Sequence, residues 1–511
     1  VRWCWFLALA VLAGCGRFGF GHRDDAEVDA PIANGDGSTD AGVQLHFSYL
    51  KQFNTETFDR FGYAIALSAD GTTLAVGAPG EDGNVAGVNT SDGSTNGVSQ
   101  SGAVYVFVRN GNAWVQQAYI KPQTLDLDDV FGGGVALSGD GNTLAVGVPN
   151  EDSNATTIDG DDANNNAPDS GAVFIYTRSG TTWSRQAYIK CSTCEAGDAF
   201  GWSVALSGSG DTLAAGAIGE DSDTKLINST PNNNASGSGA VFIFTRAGFT
   251  WSQQTYIKSW DVEVNDQFGS SVDLSSDGKT LAVGAPQEDG GTPGIQQGPY
   301  VISSATSEAG AANIYVYDTA WTLQAYIKPS FVGFGGDFFA LNLALSNDGN
   351  TLVCGAPGED SLKSNAGAAW VFRRAGTTWS EEARLKASNA DVDDQFGATV
   401  AIDGTGSNIM VGTPLEDSNA SGVGGDETDN SAMDSGAVYE WRHTTSWFQT
   451  AYVKGPATDI GDQFGWALAI SQDGKTRAAT ASFEDSAATG IDGDAFDNDA
   501  QDSGCAGISF Y

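Results

Sequence analysis

Seven Glu-Asp pairs punctuate this sequence at near-regular intervals: Glu81-Asp82, Glu151-Asp152, Glu220-Asp221, Glu288-Asp289, Glu359-Asp360, Glu416-Asp417 and Glu484-Asp485. A further acid recurs as often, at Asp59, Asp129, Asp198, Asp266, Asp337, Asp394 and Asp462. So does a lysine, at Lys51, Lys121, Lys190, Lys258, Lys328, Lys386 and Lys454. Paired carboxylates can hold hard cations, work on a glycosidic bond, or neutralise lysines. A feature present in every unit usually serves the unit, so loop capping and ion pairs are expected ahead of a ligand-binding ring.

Residues that break the repetition are better candidates for function. Three loops share the pattern G-D-x-x-(D/N)-N-x-x-x-D-S-G, with Asp161, Asn164, Asn165 and Asp169 in the first. The second holds Asp426, Asp429, Asn430 and Asp434, and the third Asp494, Asp497, Asn498 and Asp502. Clustered hard oxygens without a basic residue among them suit Ca²⁺, which is the expected cofactor. The competing reading is a solvated loop held by Asx-turns. Trp202 and Trp466 are candidate sugar-stacking residues, with packing into a neighbouring unit as the alternative, and Tyr300 lies in a long fourth-unit loop that reads equally as a recognition finger or an extra hairpin without a partner. Cys191 and Cys194, with two residues between them, are expected to form a local disulfide. His22, His46 and His443 fall where no catalytic triad or metal cluster forms, so no catalytic residue is assigned and the protein is not expected to be an enzyme.

Composition narrows the partners. The sequence has 511 residues, 64 acidic against 24 Lys plus Arg, for a net charge of −40. That charge repels nucleic acid and anionic lipid surfaces and attracts cations. With 41% hydrophobic residues the chain still has enough apolar surface for a core.

The elements that position these residues repeat too. The stretch Phe131–Asp152 returns from Phe61 and Phe268, and its leading Phe falls at Phe61, Phe131, Phe200, Phe268, Phe339, Phe396 and Phe464. Each unit reads as four short strands: a VALS-like run, a TLAVGAP-like run, an SGAVYVF-like run, and one such as WVQQAYIK. Seven such units predict an all-β, seven-bladed β-propeller of four-stranded antiparallel blades. Small residues in the first two strands and aromatics in the last two place the former near the axis. The last unit stops at its third strand, Ser503–Tyr511, while Gln44–Lys51 looks like a fourth strand with no unit of its own. Pairing of these two segments is expected to close the ring.

Phe-Gly opening the first strand and Gly-Ala-Pro closing the second, intact at Gly77-Ala78-Pro79, Gly284-Ala285-Pro286 and Gly355-Ala356-Pro357, resemble the FG-GAP repeats of integrin α-chain propellers and their bacterial relatives. Ile218 and Ser482 replace the Pro, and Ala340 replaces a Gly. The D-x-D-x-D-G calcium turn of that family is missing, so those sites are not carried over. Residues 1–14 read as a signal peptide whose Leu12-Ala13-Gly14-Cys15 resembles a bacterial lipobox, which implies lipidation of Cys15. Gly16 leans the sorting towards the outer membrane. Residues 15–43 read as a flexible acidic tether, and 44–511 as the propeller. The resemblance implies a lipid-anchored envelope protein, expected to be a monomer, whose acidic upper rim, the one carrying the Glu-Asp pairs and opposite the lower rim, binds a protein or glycan at the cell surface. The alternatives are an envelope scaffold without an external ligand, or a calcium-dependent glycan hydrolase or lyase.

Overall fold

Short alternating runs, most joined by tight Gly-containing turns such as Asp70-Gly71 and Asn110-Gly111, fold as antiparallel strands wrapped into a wheel. The computed structural model describes residues 46–89, 95–225, 227–297, 306–331, 333 and 335–510. Cys15, the tether and Tyr300 lie outside the described residues. Blade 1 comprises Ala64–Leu67, Thr73–Ala78, Ala103–Asn110 and Ala113–Ile120, hydrogen-bonded in that order from the axis outwards. We refer to these positions as strands 1 to 4. Blades 2 to 6 repeat the order, and the strand 1 elements touch from blade to blade all round the ring. In blades 1 to 6 a register shift falls at one position between strands 3 and 4, as at Val106/Phe107. Such bulges increase the twist of a sheet.

Blade 7 is completed as the sequence implies. His46–Leu50 pairs antiparallel with Cys505–Phe510, from His46↔Phe510 to Leu50↔Ala506. It is the outermost strand of a sheet whose other members are Thr476–Ala481 and Leu468–Ile470. The apolar core lies between blades. One cluster joins Leu50, Ile508 and Phe510 of blade 7 to Leu74, Tyr105 and Phe107 of blade 1.

Blade 4 departs from the pattern. Its loop between strands 2 and 3 lays Ile295–Gln297 against Trp321–Ile327 as a fifth strand, instead of a hairpin without a partner. Other blades protect the same edge with single loop residues. Asp159 Oδ1 accepts the Tyr188 N–H at 2.9 Å and Asn228 Oδ1 accepts that of Tyr256 at 2.9 Å. Covering the outer edge removes the unpaired backbone groups that would template pairing with another chain.

Candidate functional site

The repeated acids are the natural place to begin, because their spacing made them the first candidates. Each Glu-Asp pair follows strand 2, and its two members do different work. The Asp accepts a backbone N–H near the end of the loop between strands 2 and 3, at 2.7–2.9 Å in all seven blades. The residues so held are Gln100, Asp169, Gly237, Glu308, Asn365, Asp434 and Asp502, all at φ between 48° and 62°. Each then offers its carbonyl to the next blade, accepting the N–H of the residue between the recurrent Asp and Phe, such as Val130 N to Gln100 O at 3.0 Å. Those donors also sit at φ between 52° and 59°, Val130 included. A β-branched residue rarely adopts that conformation, so the latch is overdetermined by what surrounds it.

The glycines of the motif belong to the same joint. A Cβ on Gly102, at φ +76°, would lie 2.1 Å from the Phe131 carbonyl oxygen of the next blade. One on Gly77 would meet the Gly132 oxygen at 2.1 Å. Phe-Gly, Gly-Ala-Pro and Ser-Gly-Ala are therefore the places where one blade's backbone lies against another's.

Residues 183–244, 251–301 and 379–439 match the FG-GAP repeat family model. The first match starts on strand 4 of blade 2 and ends on strand 3 of blade 3, so the sequence repeat is offset by one strand from the blade. No curated protein matches the chain significantly.

The Glu of each pair turns into the ring rather than out to solvent. In blade 2 Glu151 accepts from Lys190 Nζ at 2.9 Å and from Tyr188 Oη at 2.7 Å, while Lys190 also donates to Ser170 Oγ at 2.7 Å. Blades 1, 3, 6 and 7 build the same quartet, for instance Lys51, Glu484, Tyr49 and Ser503. In blade 5, Arg384 stands in the Tyr position and both it and Lys386 pair with Glu359. The side chains of Lys51, Lys121, Lys190, Lys258, Lys328 and Lys454 are 0% exposed. The lysine ring is thus interior, and the structural role expected for it holds. Burial lowers the pKa of Lys121, Lys190, Lys258, Lys328 and Lys454, with the Glu carboxylate opposing. Sequence reasoning missed the Tyr and Ser partners, although Tyr-x-Lys and Ser-Gly-Ala recur visibly.

The second set of acids is also buried. Asp198 Oδ2 caps its own turn by accepting the Glu195 N–H at 2.8 Å, and Asp59, Asp266, Asp394 and Asp462 do the same three residues back. Burial, reinforced by neighbouring carboxylates, pushes Asp59, Asp129, Asp266 and Asp462 up to about 8 and Asp198 and Asp394 to about 7. Asp337 moves the same way for the same reason.

The expected calcium residues do not converge. Asp161 Oδ1 accepts the Ala163 N–H at 3.1 Å, Asp426 Oδ1 the Thr428 N–H at 2.9 Å, and Asp494 Oδ1 the Phe496 N–H at 3.0 Å. Asp429 and Asp497 make equivalent turns, and Asp169, Asp434 and Asp502 are latch residues. Asn164 donates to Ser153 and Asp161, Asn430 to Asp391 and Asn498 to Asp459. Asx-turn chemistry uses these oxygens locally. Among the described residues no group of three or more His, Cys, Asp or Glu is placed to hold a metal ion.

The remaining candidates divide. Cys191 and Cys194 form the expected disulfide. Trp466 lies 5.6 Å from Tyr63 and 5.2 Å from Phe483, and its indole donates to the Tyr63 carbonyl at 3.2 Å, so it packs across the seam between blades 7 and 1. Trp202 is 40% exposed.

Sequence reasoning did not anticipate a second kind of joint, near the lower rim. In blade 2 Arg178 stacks on Trp183 at 5.3 Å, and both donate to Gln117 Oε1 of blade 1, at 3.1 and 3.0 Å. Blades 3 and 5 repeat this with Arg246, Trp251 and Gln186, and with Arg374, Trp379 and Gln324. At the joint of blades 5 and 6 the three positions hold His443, Trp447 and Glu382 instead. The signal was present as substitutions between aligned units.

Proposed function

We infer that this protein is a binding module, with a partner docking on the upper rim of the ring where blades 6 and 7 meet. One observation carries the reading. Met433, Ile460 and Phe496, from three different loops, are 45%, 66% and 76% exposed. The loops are tied together: Gly461 N–H donates to the Met433 carbonyl at 3.0 Å and Asn498 Nδ2 to Asp459 Oδ2 at 2.9 Å. Exposed Asp426, Asp429 and Asp494 flank them. Apolar side chains in a polar, charged surround have the make-up of a protein interface. The chemistry fits a protein partner with an apolar centre and a basic rim.

The seven blades hold this patch on a closed frame, and the loops are free to vary because the latches and quartets carry the fold. The reading places the module in the cell envelope, attached through Cys15 and the tether, with adhesion or recognition as the wider role. Trp202 is a separate contact for a glycan. The test is surface binding of the ring to intact cells, comparing the parent with a Phe496→Ser, Ile460→Ser double variant. Binding should fall at least about tenfold, equivalent to 1.4 kcal/mol, with an unchanged melting temperature. Equal binding by the two proteins refutes the patch. Protease shaving of whole cells tests the orientation, since an inward-facing scaffold would be protected.

A further inference from the structure

At the joint between blades 5 and 6 a cleft of about 290 Å³ opens, bordered by Glu382, Leu385, Trp441, His443 and Trp447. At three other joints this place is occupied from within. The guanidinium of Arg178, Arg246 or Arg374 lies over the Trp face at 5.3 Å. Each also donates to a Gln of the preceding blade at 3.0–3.2 Å and to a buried Thr at 3.0–3.2 Å. Blade 6 puts the shorter His443 in that position, 5.2 Å from the Trp447 ring centre. The neutral acceptor becomes a carboxylate, Glu382, which Trp447 Nε1 still reaches at 3.1 Å.

We propose that this cleft binds the side chain of an arginine residue belonging to a partner polypeptide, which supplies in trans the group that the other joints supply in cis. Two observations match the cleft to it. A carboxylate accepts from a guanidinium more strongly than an amide does. Arg373 Nε takes one lone pair of Glu382 Oε1 at 3.0 Å and Trp447 one of Oε2, which leaves acceptor capacity on both oxygens. His443 Nε2, 3.6 Å from Oε1, is beyond hydrogen-bond reach and does not consume it. Arg384 borders the cleft, but its guanidinium is committed to Glu359 and Ser361. The second observation is independent of charge. The indole N–H of Trp441, on the cleft wall, is buried and has no acceptor among the protein atoms. A peptide carbonyl satisfies that donor once the indole turns towards the cleft, and a bare guanidinium does not. A residue within a chain offers both groups. The net charge of −40 favours approach of a basic partner.

The experiment titrates the ring with N-acetyl-arginine N-methylamide and reads tryptophan fluorescence. The lysine analogue, free arginine and guanidinium chloride serve as comparators, and ionic strength is held constant. The expected result is a saturable change with the arginine amide, at least about tenfold tighter than with the lysine amide or free guanidinium. Glu382→Gln, which restores the amide of the other joints, should weaken binding about tenfold without lowering the melting temperature. His443→Arg should fill the cleft from within and abolish binding. No saturable change, equal affinity for lysine, or full binding by His443→Arg would each overturn the proposal. Free arginine binding as tightly as the amide would overturn its polypeptide part. Since Glu382→Gln recreates a native arrangement, loss of binding in that variant cannot be put down to misfolding.

Discussion

Removing one carboxylate from a quartet should cost the ring more than removing the quartet's charges together. In blade 2 Lys190 is fully buried, and apart from Glu151 its ammonium has the Ser170 hydroxyl at 2.7 Å and the Gly171 carbonyl at 2.6 Å. Glu151→Ala leaves a charge in the interior with two neutral acceptors, and strands the Tyr188 hydroxyl, whose bond to Glu151 is 2.7 Å. Breaking a buried ion pair from one side costs about 3–5 kcal/mol, and the stranded hydroxyl overlaps with that figure. For a ring of roughly 465 described and bridging residues, an unfolding entropy of about 2.1 cal/mol/K per residue gives about 1 kcal/mol per degree. The melting temperature should therefore fall by about 4 °C. Calorimetry checks this, with urea unfolding as the second measurement and an unchanged m-value as the sign of an unchanged fold. The double variant Glu151→Leu, Lys190→Met removes both charges and should regain most of the loss, because a buried pair is worth little net of its desolvation. A single variant costing under about 1 kcal/mol, or a double variant no better than the single, refutes the account of the quartet as an interior ion pair.

The buried Asp ring makes stability depend on pH. Its folded pKa values, about 7 to about 8 for six members, lie above the unfolded value, so the folded state holds protons that the unfolded state releases. That contribution is complete below about pH 4 and lost as pH rises through about 8; melting should be higher at pH 5 than at pH 8, and Asp266→Asn should flatten the profile. Gly102→Ala, which forces a Cβ to 2.1 Å from the Phe131 oxygen, should cost about 3 kcal/mol or more, against about 1 kcal/mol for Gly111→Ala, whose Cβ meets nothing within 4 Å. Equal losses in urea midpoint would remove the joint from the explanation. Deleting residues up to Lys51 bares the Cys505–Phe510 edge and empties the Lys51 slot beside Glu484, so the ring should lose its cooperative melt and gain concentration-dependent association in light scattering. Millimolar calcium added after chelation should leave the melting temperature unchanged, because the loop oxygens are already engaged in turns.

Most of the architecture was open to reading from the chain, because periodicity of Phe, Gly and Asp needs no knowledge of packing. The closing strand was readable for the same reason, as a fourth-strand pattern without its own unit. Depth was not. Lys190 and Glu151 look like rim residues when each is read alone, and only the Tyr188 and Ser170 partners, brought together from distant positions, show that they lie inside. The left-handed Val130 could not be foreseen either, since a β-branched residue argues against that conformation until a neighbouring blade enforces it. The acidic loops admit two readings for a local reason. Asp and Asn spaced for a cation are also spaced for Asx-turns, and the sequence does not separate the two. The fifth strand of blade 4 escaped because a three-residue run such as Ile295–Gln297 has too little alternation to register.

The one-strand offset between repeat and blade has an evolutionary consequence. Every copy of the unit contributes the outer strand of one sector and the inner three of the next, so adjoining sectors are stitched by covalent continuity. Duplication or loss of a whole copy changes the circumference while leaving the splice at the end intact. Wheels of six or eight sectors are then reachable in a single genetic event, whereas an insertion of any fractional length would leave a strand without its sheet.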